Sequence, residues 1–212
     1  MQPIFITGIG TGIGKTVIAA VVTAALEADY WKPVQAGFSH GTDAGFVQDM
    51  LKGTACSIHP ELYKLSLPAS PHLSARQEGI SIDLDLICRQ FTKLESSKQY
   101  TIVEGAGGIM VPLNDEEFVI DLIKKMDGKV ILVSRNYLGS INHSLLTASI
   151  CKKYDLDVAG WIFNDHFMNY EDEIVRWSGF KKIAAVPGTG VVDRLFIMSC
   201  ATAIRESLQA AL

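Results

Sequence analysis

The chain has little of what several protein classes require. Lysine and arginine total 19 against 23 aspartates and glutamates, a formal charge of −4. Without a basic excess there is no electrostatic footprint for nucleic acid. Cysteine is scarce: Cys56, Cys88, Cys151 and Cys200 show no C-x-x-C pair, and none stands at finger spacing from a histidine. This excludes a zinc finger and points to free, mostly buried thiols in a reducing cytoplasm. His40, His59, His72, His143 and His166 are scattered, so no structural metal is expected. No apolar run approaches the roughly 20 residues of a membrane span. Met1-Gln2-Pro3 leads straight into an apolar run, so no signal peptide is expected. No repeat, linker or low-complexity tract divides residues 1–212, which are read as one domain.

What is present is a 48% apolar chain in which strand-like and helix-like segments alternate. Strands are expected at 4–6, 30–34, 100–104, 130–133, 158–163 and 183–186. Helices are expected at 15–27, 43–52, 82–95, 140–154 and 170–178, with an amphipathic tail from Arg194 to Leu212. Asn114 to Glu117 opens a further helix that closes on Lys124-Lys125, acid first and base last, as the helix dipole favours. Residues 53–80, with Pro60, Pro68 and Pro71, read as irregular. Val130-Ile131-Leu132-Val133 is apolar throughout, as in a central strand covered on both faces. The fold class is α/β: a mostly parallel sheet with helices on both faces. In such sheets ligands bind beyond the carboxyl ends of the strands.

The strongest motif lies at such an end. Gly8-Ile9-Gly10-Thr11-Gly12-Ile13-Gly14-Lys15-Thr16 follows the strand Ile4-Phe5-Ile6 and opens the helix that starts Val17-Ile18-Ala19. Glycines let backbone N–H groups turn onto an anion, and the helix start adds partial positive charge. Lys15 can reach terminal phosphates and Thr16 can hold Mg²⁺. The strict pattern has glycine where this chain has Ile9, and here the first glycine is Gly8. The context nonetheless makes the domain P-loop NTPase-like, a binder of nucleoside triphosphate.

Other candidates are more ambiguous in isolation. Lys32, before Pro33, is either a second cation for phosphate or substrate, or an edge lysine turned to water. Glu104 ends an apolar strand before Gly105-Ala106-Gly107-Gly108, where a carboxylate can hold Mg²⁺. Asp43 is a third magnesium candidate or a helix cap. Asn164-Asp165 can present a donor and an acceptor to a nucleobase, or simply turn the chain. Pro187-Gly188 raises the same choice. Leu138-Gly139-Ser140 precedes a helix with Ser140 as its expected cap; the helix start could bind a carboxylate.

Together these segments resemble one family. Thr7 to Thr16, Lys32-Pro33-Val34, Ser70-Pro71-His72, Glu104 to Gly108, Leu138 to His143 and Gly160 to Asp165 follow the order and spacing of the dethiobiotin synthetases over nearly the whole chain. The resemblance implies an ATP-dependent ligase that joins CO₂ to 7,8-diaminopelargonic acid and closes a ureido ring. It implies catalytic roles for Lys15 and Lys32. It implies a magnesium shell of Thr16, Asp43 and Glu104. Nucleotide contacts would come from Gly12, Ile13, Gly14, Lys15, Thr16, Val17, Asn164, Asp165, Pro187 and Gly188. Substrate contacts would come from Thr11, Lys32, Ala36, Glu104, Gly107, Gly108, Leu138, Gly139, Ser140 and Asn142, the last four across a homodimer interface. Gly12 replaces an acidic residue frequent in the family, and Ala36 replaces a frequent serine. Cobyrinic acid synthases share the loop but need a glutaminase domain with a nucleophilic cysteine. Partitioning ATPases share it too, but have a lysine where Gly10 stands and often a basic tail; this tail, Arg205 to Leu212, is not basic.

Overall fold

The parallel sheet assembles around the first strand, because the chain returns to it from both sides. The computed structural model describes residues 2–165 and 167–212. Met1 and His166 lie outside the described residues, and with them the reading of the first residue and of one histidine. Strand β1 (Gln2–Gly8) lies between β6 (Tyr100–Glu104) and β7 (Lys129–Arg135). On the β6 side follow β2 (Asp29–Trp31) and β4 (Ile58–His59); on the β7 side follow β8 (Val158–Asn164) and β9 (Lys182–Val186). All pairings in this seven-stranded sheet are parallel.

Strand side chains alternate between two cores. Ile4, Ile6, Ile131 and Val133 face a core built with α1 (Lys15–Leu26), α2 (Asp43–Met50) and α8 (Arg194–Gln209). Phe5, Val130 and Leu132 face the other. That core is closed by α3 (Pro71–Gln77), α4 (Leu84–Phe91), α5 (Val119–Lys125), α6 (Ser140–Lys153) and α7 (Glu171–Ser178). A strand apolar on both faces therefore needs no polar alternation.

Three local expectations are corrected. The strand expected at 30–34 breaks at Lys32-Pro33: β2 stops at Trp31, and β3 (Val34–Ala36) leaves the sheet to pair with β5 (Tyr63–Leu65). Proline cannot donate to a ladder, so the break falls there. The segment 53–80 is not irregular, since it supplies β4, β5 and α3, with Pro71 in the first turn of α3. Its prolines mark the boundaries. Helix α5 begins at Val119 rather than at Asn114. The Asn114 side-chain oxygen instead accepts from the N–H groups of Glu116 (2.9 Å) and Glu117 (2.7 Å), which makes a turn. Asp121 then supplies the acid at the helix start, its carboxylate accepting from Phe118 N–H at 2.8 Å.

The four thiols are free. Burial pushes Cys151 up to about 12 and raises Cys56, Cys88 and Cys200 as well. Thiolate is the reactive form. At pH 8 an aromatic disulfide reagent should therefore label the half-buried Cys56 and Cys88 first, and Cys151 no faster than the chain unfolds. Prompt labelling of all four thiols in the folded protein contradicts this packing.

Candidate active site

Four chain segments converge past the carboxyl ends of β1, β2 and β6. The loop after β1 crowds its own neighbour: a Cβ on Gly8 would stand 2.5 Å from the Val133 carbonyl oxygen. Glycine is thus required at 8, while Ile9 packs against the cores. Gly12 adopts φ +73°, where an acidic side chain would be strained. Gly14, at φ 88°, stands at the N-cap of α1, and no side chain caps that helix. Its first N–H groups are left for an incoming anion. Lys15 is buried, and its ammonium donates to the Gly10 carbonyl at 2.6 Å. Burial, partly offset by Glu104, lowers Lys15 to about 8.

Lys32 lies immediately beyond β2 and is only 4% exposed, so the water-facing reading is excluded. Its ammonium donates to Glu104 Oε1 at 3.0 Å and pairs with Asp43. Burial alone would lower its pKa, but Glu104 and then Asp43 outweigh that and hold it above the ordinary lysine value. Glu104, 1% exposed at the end of β6, also accepts from Thr16 Oγ1 at 2.9 Å and, on Oε2, from the Tyr30 hydroxyl at 2.7 Å. Burial first, then Glu104, raises the Tyr30 phenol well above its usual value, so it stays a donor. Asp43 does not cap α2. Thr42 does, its hydroxyl accepting from Gly45 N–H at 3.0 Å. Asp43 is left facing the lysine.

Two lysines, two carboxylates and the Thr16 hydroxyl thus meet in one cleft of about 750 Å³. Among the described residues no three of His, Cys, Asp or Glu form a metal cage. Thr16, Asp43 and Glu104 nevertheless fit Mg²⁺, which takes oxygen ligands, keeps several waters and needs only one or two carboxylates beside phosphate.

Thr11, Gly12, Gly14, Val17, Ala36 and Gly107 line this cleft as well. Ile13 does not; it is buried, and its carbonyl accepts from Asn164 Nδ2 at 2.9 Å. Asn164, Asp165, Pro187 and Gly188 gather instead in a hollow of about 160 Å³ beside Val17. Gly108 faces a third, apolar hollow of about 380 Å³, shared with Thr11, Met110, His143 and Leu146. Leu138, Gly139, Ser140 and Asn142 line none of the three. Ser140 is not the cap of α6. Gly139 holds that position, and the Ser140 hydroxyl is buried against the Tyr170 hydroxyl at 2.7 Å.

Several participants had no sequence signal. Tyr30 and Glu104 are 74 residues apart. Gln35 spans the site, accepting from Asp43 N–H at 3.2 Å and donating to the Gly37 carbonyl at 2.8 Å. Ser70 enters the cleft from the start of α3, bonded to His72 Nδ1 at 2.7 Å. The Ser-Pro-His motif marked this last segment, though not what it does.

A glycine-rich loop joining a central parallel strand to an uncapped helix, with lysines and a carboxylate at adjoining strand ends, defines a P-loop nucleotide-binding protein. The fold is similar to a chain of a MinC–MinD cell division protein complex from Aquifex aeolicus (TM-score 0.62, 15% identity, 99% of this chain and 95% of that one). It is equally similar to a plasmid partition protein from Borrelia burgdorferi (TM-score 0.62, 13% identity, 100% and 99%). At such identities the likeness is one of fold. A family profile described as an AAA domain matches residues 2–194. An ATP-dependent dethiobiotin synthetase from Cytophaga hutchinsonii is 46% identical over 188 residues, 88% of each chain. Another from Christiangramia forsetii is 40% identical over 205 residues, 96% of each. The chain belongs to the dethiobiotin synthetase family of ATP-dependent ligases.

Proposed function

We propose that the chain converts 7,8-diaminopelargonic acid, CO₂ and ATP into dethiobiotin, ADP and phosphate. The observation that carries the reading is the Lys32 ammonium, buried between Glu104 and Asp43 in the same cleft as Lys15. One substrate amine adds to CO₂ and loses a proton, giving a carbamate. A carbamate oxygen attacks the γ-phosphorus and ADP leaves. The second amine attacks the carbonyl of the mixed anhydride, and phosphate departs as the ring closes. Each step concentrates negative charge on oxygens and needs fixed cations more than proton transfer. Lys15 serves the phosphates and Lys32 serves the carbamate and the moving phosphoryl group. Glu104 and Asp43 orient Lys32 and keep it charged, and the Tyr30 hydroxyl holds Glu104 in place. Thr16, Asp43 and Glu104 would hold Mg²⁺, which neutralises charge on the β- and γ-phosphates when bound. The base would lie beside Val17, between Asn164 and Gly188.

The active form we infer is a homodimer. The apolar hollow over Gly108 and Met110, bordered by Leu146, is a surface a second copy could cover, and Leu138, just before α6, is 96% exposed. The α6 start of the partner would then supply the seat for the substrate carboxylate. No described helix is long and apolar enough to cross a membrane, which agrees with a cytoplasmic site of action.

The test is co-dependence. Phosphate release from MgATP should require both diamine and bicarbonate. Release that is unchanged when either is omitted sinks the assignment and favours a switch ATPase.

Base selection should be loose. The Asn164 amide spends one of its two N–H donors on the Ile13 carbonyl, leaving one donor and Oδ1, a pair that can meet the edge of more than one base. Turnover with ATP, GTP and CTP at equal concentration should differ by less than about a hundredfold, nearly 3 kcal/mol. A stronger preference for ATP contradicts this.

A further inference from the structure

An amine that joins CO₂ must lose a proton, and the charged groups of the cleft are poorly placed to take it. Burial lowers the pKa of Lys32, but Glu104 and Asp43 outweigh it, so Lys32 stays protonated. Glu104 Oε1 accepts from Lys32 and Thr16, and Oε2 accepts from Tyr30. Asp43 is paired with Lys32, and Lys15 donates to the Gly10 carbonyl. Carboxylates held by ammonium groups are weak proton acceptors. The cleft has one further hydroxyl, and a base stands behind it. Ser70 lines the cleft at the N-cap of α3, where serine ordinarily accepts from the first N–H groups of the helix, yet it makes no such bond. Its hydroxyl is bonded instead to His72 Nδ1 at 2.7 Å. His72 is half-buried and lines a second hollow of about 160 Å³, bordered by Asn114, Arg76 and Asp115. The two side chains thus span the wall between the cleft and that outer hollow.

We propose that Ser70 and His72 form a proton relay that takes the amine proton as the carbamate forms. The inference rests on the carboxylation reading. As the amine nitrogen bonds to the CO₂ carbon, its N–H bond breaks. The proton passes to Ser70 Oγ while the proton of the Ser70 hydroxyl moves to His72 Nδ1. The imidazolium so formed gives a proton up to water in the outer hollow. Histidine suits the place because a neutral ring accepts on one nitrogen and donates from the other. Arg76 and Asp115, the charged groups that share the hollow, pair with each other and add no net charge beside the ring. Ser70 meets the substrate, and His72 acts through it.

Rescue by base strength tests the relay. Phosphate release by the full chain is followed with MgATP, diamine and bicarbonate. His72→Ala should lower kcat about a hundredfold, within the range of general acid–base catalysis, and leave the affinity for the β,γ-imido analogue of ATP within about twofold of wild type by calorimetry. Added imidazole should restore about tenfold of that loss, whereas pyrazole, a ring of the same shape but a far weaker base, should restore none. Ser70→Ala should lose a comparable amount that imidazole does not restore. Equal rescue of His72→Ala by both rings marks a merely structural role and overturns the relay. No rescue by imidazole, rescue of Ser70→Ala by imidazole, or His72→Ala turnover within a few-fold of wild type overturns it too. Wild-type release that proceeds without diamine or bicarbonate sinks the carboxylation reading and the relay with it. Release that needs both, with variants that behave as wild type, sinks the relay alone.

Discussion

Lys32→Ala should lower turnover by about 10²–10³-fold while ATP affinity stays within a few-fold of wild type. The range is that of removing one preorganised donor from a developing anion. Nucleotide binding survives because the loop, Lys15 and the start of α1 make their contacts without Lys32. Stability falls too, since Glu104 stays buried without its ammonium partner; breaking such a pair costs about 3–5 kcal/mol when both ions are deeply buried. The loss should lie toward the lower end, because the other carboxylate, Asp43, is 34% exposed and water can resolvate it. A melting curve taken beside the kinetics separates the two effects. Turnover within a few-fold of wild type, in a protein that still melts cooperatively, removes Lys32 from the mechanism.

Glu104→Gln should cost a comparable amount by a different route. Glutamine keeps the volume, and its carbonyl can still accept from Lys32 and Thr16. What disappears is one negative charge beside two lysines. The magnesium concentration for half-maximal rate should rise about tenfold or more, and kcat/KM should fall about a hundredfold, on the scale of one lost electrostatic contact. The pH behaviour has a definite sign. Lys32 is held above the ordinary 10.5, chiefly by Glu104 and Asp43 against burial. The stability its charge contributes is complete below 10.5 and disappears as pH rises through the raised value. Without Glu104 that window shrinks, so the variant should lose stability at lower alkaline pH than the wild type. An unchanged magnesium requirement together with near-native kcat/KM rules out Glu104 as a ligand.

The architecture was legible in the sequence wherever it depended on near neighbours. The phosphate loop announces itself because strand, glycines, lysine and helix are consecutive. Val130 to Val133 reads as a central strand because both faces of that strand are buried. The break at Lys32-Pro33 was less legible. A short apolar run looks like one strand, and only the pairing of β3 with β5 shows that the chain leaves the main sheet there. The Asn114 turn was misread because acids suit both a turn and a helix start, and the choice was made by which backbone N–H groups Asn114 reached.

The sequence by itself determined the α/β class with its central strands, the phosphate loop and the family, for these are written in periodicity and in consecutive motifs. It could not choose the direction of Lys32, the rival of Asp43 for the α2 cap, or the commitment of Asn164 to the loop. Those were decided by tertiary structure. Glu104 lies 72 residues from Lys32, and Asn164 lies 151 from Ile13. A buried charge takes whatever partner the fold brings within reach, because leaving it alone in a low-dielectric interior costs more than any local preference can offset.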